Sequence, residues 1–297
     1  MTFGSRLREA MDTRGPCCVG IDPHPALLDA WGLTDSPFGL ERFCQTVVEA
    51  LGGTVAVAKP QSAFFERHGS RGIAVLEQVV GELRGQGCLV VLDVKRGDIG
   101  STAQAYAEAY LDQNSTLAVD AITASPFLGM GSLDPIVSTA LANDAGVFVL
   151  ALTSNPEGPQ VQRAATQDGR SVAGVILDAI ASLNVDAEGL GSVGAVVGAT
   201  IEDTDDNLDV NGPLLVPGIG AQGGTVEDVR RLFGPVLRNV LPSSSRQVLS
   251  AGPDRTALRT AAQEMVNRFT AVLADAGEAG DAGDAGDAAL RVDRFHG

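Results

Sequence analysis

Short apolar runs recur along the chain at 17–22, 54–60, 89–95, 118–125, 146–154, 193–199 and 213–219. An eighth, at 236–241, runs into 243–246. They are rich in Val, Ile, Leu and Ala, and several end in a polar residue or glycine, the pattern of buried strands. Between them, apolar residues fall at helical spacing. The segment 38–51 carries Phe43, Val47, Val48 and Leu51, and 73–86 carries Val75, Leu76, Val79, Val80 and Leu83. The segments 101–112, 133–143, 172–182, 226–233 and 255–274 also read as helices. Strand–helix alternation throughout implies a parallel sheet, and near-continuous apolar strands imply burial on both faces. Eight strands without a central break favour a closed (β/α)8 TIM barrel, a single α/β catalytic domain over 1–274.

Two segments fall outside this frame. The polar stretch 155–170, after the fifth strand, is long enough to be a lid. Near the C-terminus, 278–289 repeats Gly-Asp-Ala, so 275–297 is expected to be a low-complexity acidic tail, solvated and disordered.

Composition narrows the possible partners. The formal charge of −16 argues against nucleic acid or an anionic membrane, both of which attract basic surfaces. An anionic small substrate remains possible if a few cations and backbone N–H groups make a local pocket. No run of 18 apolar residues could span a membrane, and 1–15 is polar without a signal segment, so a cytoplasmic protein is expected. Cys17, Cys18, Cys44 and Cys88 form no CxxC pair and no metal spacing, and are expected to be free thiols, mainly in the core. Of 21 basic residues only Lys59 and Lys95 are lysine, which directs attention to what an amine does there that a guanidinium cannot.

The third strand ends in Asp93-Val94-Lys95. Residues at i and i+2 share a strand face, so both side chains are expected at the C-terminal mouth, where barrel enzymes place their active sites. Taken alone, the pair could equally be a structural salt bridge, and Asp98 could be a helix N-cap. Lys59 closes the second strand and Asp22 the first. Asp22, Lys59, Asp93 and Lys95 would then line one mouth, with Asp98 nearby. After the seventh strand, Gly218-x-Gly220-x-x-Gly223 has the spacing of a dinucleotide fingerprint. It stands at the wrong strand, and no acid follows about 20 residues on to hold a ribose. A glycine loop there, with Arg246 after strand eight, fits the standard barrel phosphate site instead. Ser154, within Thr153-Ser154-Asn155-Pro156, could hydrogen-bond a substrate or simply make a turn. The three histidines suggest neither a metal site nor a catalytic triad.

Together these residues resemble the orotidine 5′-phosphate decarboxylase family, in its mycobacterial-type bacterial branch. The resemblance covers about 20–252. Its most specific part is Leu92-Asp93-Val94-Lys95-Arg96-Gly97-Asp98-Ile99, the family's Asp-x-Lys-x-x-Asp signature. Support comes from Thr153-Ser154-Asn155-Pro156, from Pro217-Gly218-Ile219-Gly220-Ala221-Gln222-Gly223-Gly224, and from Lys59 within Ala58-Lys59-Pro60-Gln61.

The resemblance implies decarboxylation of orotidine 5′-phosphate to UMP, with no cofactor and no metal, by a homodimer with composite sites. It implies that Lys95 protonates C6 and that Asp93 sits against the departing carboxylate. Asp98 and Thr102 would serve the neighbouring subunit's site, Asp22 and Lys59 the ribose and the charged network, and Ser154 the pyrimidine edge. Pro217, Gly218, Gln222, Gly223 and Arg246 would form the phosphate end. The acidic tail is no part of the family pattern. Three rivals share some of these features: a Schiff-base aldolase on a sugar phosphate, a Mg²⁺-dependent sugar-phosphate lyase or decarboxylase, and a non-catalytic nucleotide-binding protein.

Overall fold

The computed structural model describes residues 1–220 and 223–289, with side chains described to 272. Eight parallel strands close into a barrel in chain order. They are β1 (Cys18–Ile21), β2 (Val57–Pro60), β3 (Leu89–Arg96), β4 (Ala121–Ala124), β5 (Gly146–Leu152), β6 (Val193–Val197), β7 (Leu214–Val216) and β8 (Val240–Ser244). Closure is through Cys18 opposite Ser243 and Val19 opposite Ser244.

The strands read as unbroken apolar runs because both faces are covered. Cys18, Val57, Val91, Phe148, Leu215 and Leu241 belong to a cluster filling the barrel interior. Their neighbours Val19, Ala58, Val90, Leu92, Ile122 and Val147 pack in the shell between barrel and helices. Alternation in β3 therefore sends Val91 and Asp93 inward and Val90 and Leu92 outward.

The N-terminal end of the barrel is closed by a helix, Phe3–Arg14, that the polar character of 1–15 concealed. The Thr2 side chain caps it by accepting from the Ser5 N–H. Phe3, Leu7, Ala10 and Met11 lie on one face and join the interior cluster. The Phe3 ring meets Phe148 edge-on at 6.0 Å between centroids. Gly146 makes room for it, since a Cβ there would come within 2.2 Å of the Phe3 ring. Burial of Phe3 contributes about 2–3 kcal/mol. With the lower end plugged by hydrocarbon, the upper end is left for polar chemistry.

Two boundaries differ from expectation. The run at 236–241 divides: Gly234–Asn239 is a 3-10 helix, and the eighth strand begins only at Val240. Pro235 supplies no N–H for a ladder, and Arg238 and Asn239 are poorly suited to a strand buried on both faces. The final helix spans Arg255–Ala289 and so runs on through the Gly-Asp-Ala repeat, where a disordered tail was expected. Residues 290–297, the rest of that tail, lie outside the described residues. All four cysteines are free and buried. Burial pushes the Cys18 thiol up to about 11 and Cys88 to about 12, which makes them poor nucleophiles.

Candidate active site

The side chains at the upper end of the barrel converge on one carboxylate. Lys59 is the third residue of β2 and lies opposite Gly20 of β1, and just past β2 Gln61 bridges to Asp93 of β3. Asp93 Oδ2 accepts from Lys59 Nζ at 2.9 Å and from Gln61 Nε2 at 3.0 Å. Its Oδ1 accepts from Lys95 Nζ at 2.5 Å and from the Thr123 hydroxyl at 2.8 Å. A carboxylate offers about four acceptor positions, and this one has four donors.

Electrostatics keep the cluster ionised. Burial alone would push Asp93 up, but the Lys59 and Lys95 charges and their hydrogen bonds hold it well below the usual carboxylate range. Burial would also depress Lys59. The charges of Asp93, then Asp22, outweigh that and hold it above the usual lysine range. The two lysines differ in access, with Lys59 buried and the Lys95 side chain 46% exposed.

Lys95 departs from regular strand geometry. Its φ is 44°, the left-handed region that costs a non-glycine residue roughly 1–2 kcal/mol. The β3–β4 register shifts between Leu92 and Arg96 at the same point. Asp93 and Lys95 both line the cavity, as i, i+2 alternation suggests, but Lys95 arrives there through a kink. On the outer side Arg96 donates to Glu66 at 2.7 Å and stacks over Tyr106. Glu66 in turn accepts from the Ser62 hydroxyl at 2.6 Å.

The cavity above this cluster measures about 810 Å³. Asp22, directly after β1, and Ser154, two residues after β5, both line it. Asp22 Oδ1 and Ser154 Oγ are buried and have no hydrogen-bond partner. Buried polar atoms are rarely left so, and two facing one cavity mark places where a ligand would complete the bonding. At the far side stand Pro217 and Gly218 after β7, Ser244 at the end of β8, and Ser245 and Arg246 just beyond it. Gly218 has φ 98°, and the Gly224 N–H donates back to its carbonyl at 3.0 Å, which folds the loop into a tight turn. Arg246 is exposed at the rim, and no carboxylate among the described residues pairs with it.

Not every expected residue joins this site. Gln222 lies outside the described residues. Gly223 shares the loop but is not part of the cavity wall. Asp98 and Thr102 do not line the cavity either. The carboxylate of Asp98 accepts from the Ile99 N–H at 2.8 Å, one residue ahead of the helix Gly100–Leu111, whose N-cap is Ile99. Asp98 is thus not the N-cap, and Thr102 is exposed on the first turn. Sequence reasoning gave no role to Gln61 or Thr123. Each carried a signal: Gln61 is two residues beyond Lys59 along the same extended chain, and Thr123 is a polar residue within the otherwise apolar β4. Among the described residues, no group of three His, Cys, Asp or Glu side chains assembles as metal ligands would.

The chain is similar to known proteins over most of its length. The profile of the orotidine 5′-phosphate decarboxylase / HUMPS family matches residues 15–261. The orotidine 5′-phosphate decarboxylase of Salinispora arenicola is 61% identical over 273 residues, covering 92% of this chain and 98% of its own length. That of Streptomyces coelicolor is 61% identical over 274 residues, covering 92% and 99%. A crystal structure of a Streptomyces avermitilis protein superposes with a TM-score of 0.90 at 60% identity, covering 92% of this chain and 96% of that one. The OMP decarboxylase of Leishmania donovani is more distant, with a TM-score of 0.71 at 31% identity over 92% and 99%. With the profile spanning the barrel from its first strand into its last helix, this chain belongs to the orotidine 5′-phosphate decarboxylase / HUMPS family.

Proposed function

We propose that the chain decarboxylates orotidine 5′-phosphate to UMP in pyrimidine biosynthesis. The observation that carries this reading is that one buried carboxylate, Asp93, is shared by the chain's two lysines at the barrel mouth. Breaking the C6–carboxylate bond leaves the electron pair in an sp2 orbital that the ring π system cannot delocalise. The protein must stabilise that pair by charge and supply a proton, lowering the barrier by on the order of 20 kcal/mol. Lys95 places an ammonium at the cavity wall. Its Nζ proton goes to C6 as CO2 departs, and solvent reprotonates the amine. Arginine could supply the charge but is a very poor acid. Asp93 orients Lys95 and faces the departing carboxylate, and Lys59 holds Asp93.

The remaining roles follow position. Asp22 and Lys59 take ribose hydroxyls and Ser154 the pyrimidine edge. Pro217, Gly218, Gln222, Gly223 and Arg246 form the phosphate end, where binding energy distant from C6 can organise the charged site. Asp98 and Thr102 serve the site of a second copy. Beside them Ile99 is 63% exposed and Phe127 76%, apolar area that a dimer contact would cover. The reaction in this reading uses neither metal nor cofactor, and the acceptor positions of Asp93 are taken by the chain's own donors. No helix among the described residues is long and apolar enough to cross a membrane, which fits a cytoplasmic enzyme.

The test is the absorbance of orotidine 5′-phosphate on adding purified protein treated with EDTA. Loss of absorbance with UMP formed in equal amount is the expected result. Persistence of substrate with tight UMP binding would leave a nucleotide-binding protein. Activity abolished by EDTA would favour a Mg²⁺ lyase, and a borohydride-trapped adduct would favour an aldolase. At Lys59 such an adduct would first require loss of a proton from an ammonium that the Asp93 and Asp22 charges hold above the usual lysine range.

A further inference from the structure

We infer that Thr123 is a positioning residue for Lys95, holding the lysine in the left-handed backbone turn from which its ammonium meets Asp93. The inference rests on the proposed decarboxylation for its kinetic consequence, though not for its geometry.

Thr123 is 1% exposed, on β4 next to the kinked end of β3. Its hydroxyl makes two bonds. It accepts from the Lys95 backbone N–H at 2.9 Å and donates to Asp93 Oδ1 at 2.8 Å. The direction of both is forced, because an amide N–H only donates and an ionised carboxylate only accepts. Asp93 Oδ1 is also the atom that receives Lys95 Nζ. The main chain and the side-chain tip of Lys95 are therefore both referenced to one oxygen, through one hydroxyl.

The local ladder explains why a hydroxyl is needed. Regular pairing of β3 with β4 holds at Val91–Ala121 and Leu92–Ile122, and resumes with shifted register at Arg96–Ala124. In the gap, the Lys95 N–H finds a side chain in place of a strand carbonyl. Without it, a part-buried N–H would be left unpaired at a residue already at φ 44°. The backbone would then relax towards ordinary strand geometry and move the ammonium. A displacement of about 1 Å in a catalytic group can reduce turnover on the order of 100-fold.

Three substitutions isolate the hydroxyl. Thr123→Val keeps the shape and removes the bonds. Thr123→Ser keeps the bonds. Thr123→Ala differs from Thr123→Ser only by the oxygen, and so gives the same comparison should the valine variant fail to fold. Thr123→Val and Thr123→Ala are expected to lower kcat about 10- to 100-fold with KM changed less than about 3-fold, and Thr123→Ser to stay within about 5-fold of the parent.

A second readout needs no substrate. The chain has two lysines, so ¹⁵N-lysine labelling gives two backbone amide signals. Hydrogen exchange of the Lys95 amide should accelerate at least about 10-fold in Thr123→Val or Thr123→Ala and not in Thr123→Ser, with Lys59 unchanged. Equal Lys95 exchange in the serine and alanine variants overturns the positioning role. So does equal kcat in those two variants. A parent protein that leaves orotidine 5′-phosphate untouched overturns the proposed reaction instead, and the exchange comparison still decides the role of Thr123.

Discussion

Lys59 reaches across from β2 to donate to Oδ2 of Asp93 at 2.9 Å, which leaves Oδ1 facing Lys95. The buried lysine thus fixes the aspartate, and the aspartate fixes the lysine that opens onto the cavity. Neither lysine could be read as catalytic from its own surroundings alone.

Asp93→Asn should therefore damage both fold and function. It strands the Lys59 ammonium in a buried site opposite a neutral amide. Removing one partner of a buried pair typically costs about 3–5 kcal/mol. A urea titration should show that loss, together with turnover reduced at least about 1,000-fold. A variant as stable as the parent would mean that the pair is hydrated and the buried network misdescribed.

The pH dependence of stability has a definite sign. Asp93 is held below its unfolded value, so its contribution is fully present above about pH 4 and is lost as pH falls through the lower folded value. Lys59 is held above its unfolded value, so its contribution is fully present below about pH 10 and is lost as pH rises through the higher folded value. The stability difference between the parent and the double variant Lys59→Met/Asp93→Asn should be flat from about pH 5 to 9 and shrink on either side. Denaturant melts across that range provide the check. A difference that rises or falls within the plateau would contradict the assignment.

Arg246→Ala tests the phosphate end. Hydrogen bonds to a charged group are worth about 1.5–3 kcal/mol, so KM for orotidine 5′-phosphate should rise roughly 10- to 100-fold and kcat/KM should fall with it. Unaltered kinetics would remove Arg246 from the site.

Much of this was legible in the sequence. The apolar runs located the first seven strands, because parallel strands buried on both faces leave an apolar signature, and the eighth only in part, since its run begins in a 3-10 helix. Lys59 and Lys95 stood out because they are the two lysines among 21 basic residues and both stand at strand ends, and Asp93 because it shares a strand face with Lys95. The N-terminal helix escaped because Phe3, Leu7, Ala10 and Met11 are spaced among charged residues and form a narrow face. Its partner, Phe148, is distant in sequence. The kink at Lys95 left no local sign, since no glycine marks the left-handed residue. The Lys95 N–H bonds the Thr123 hydroxyl on the next strand, a contact that only the pairing of β3 with β4 creates.

The composite-site reading has its own test. Asp98 and Thr102 stay out of their own chain's cavity, and exposed Ile99 and Phe127 accompany them. Mixing inactive Lys95→Ala and Asp98→Ala subunits should restore activity, because one site of each heterodimer receives both intact residues. Statistical reassociation of a two-fold dimer would give about one quarter of the parent rate. No recovery, with heterodimers demonstrated by mass, would assign Asp98 to its own chain's site.

The most direct measurement is turnover of orotidine 5′-phosphate in D2O, with proton NMR of the UMP formed, for the parent and for Lys95→Ala. The parent should yield UMP carrying one deuterium at C6. Lys95→Ala should form no UMP above the uncatalysed rate while still binding added UMP. Deuterated UMP appearing at a comparable rate from Lys95→Ala, or none from the parent, would contradict the claim that this Asp93-anchored lysine protonates the carbon that CO2 leaves.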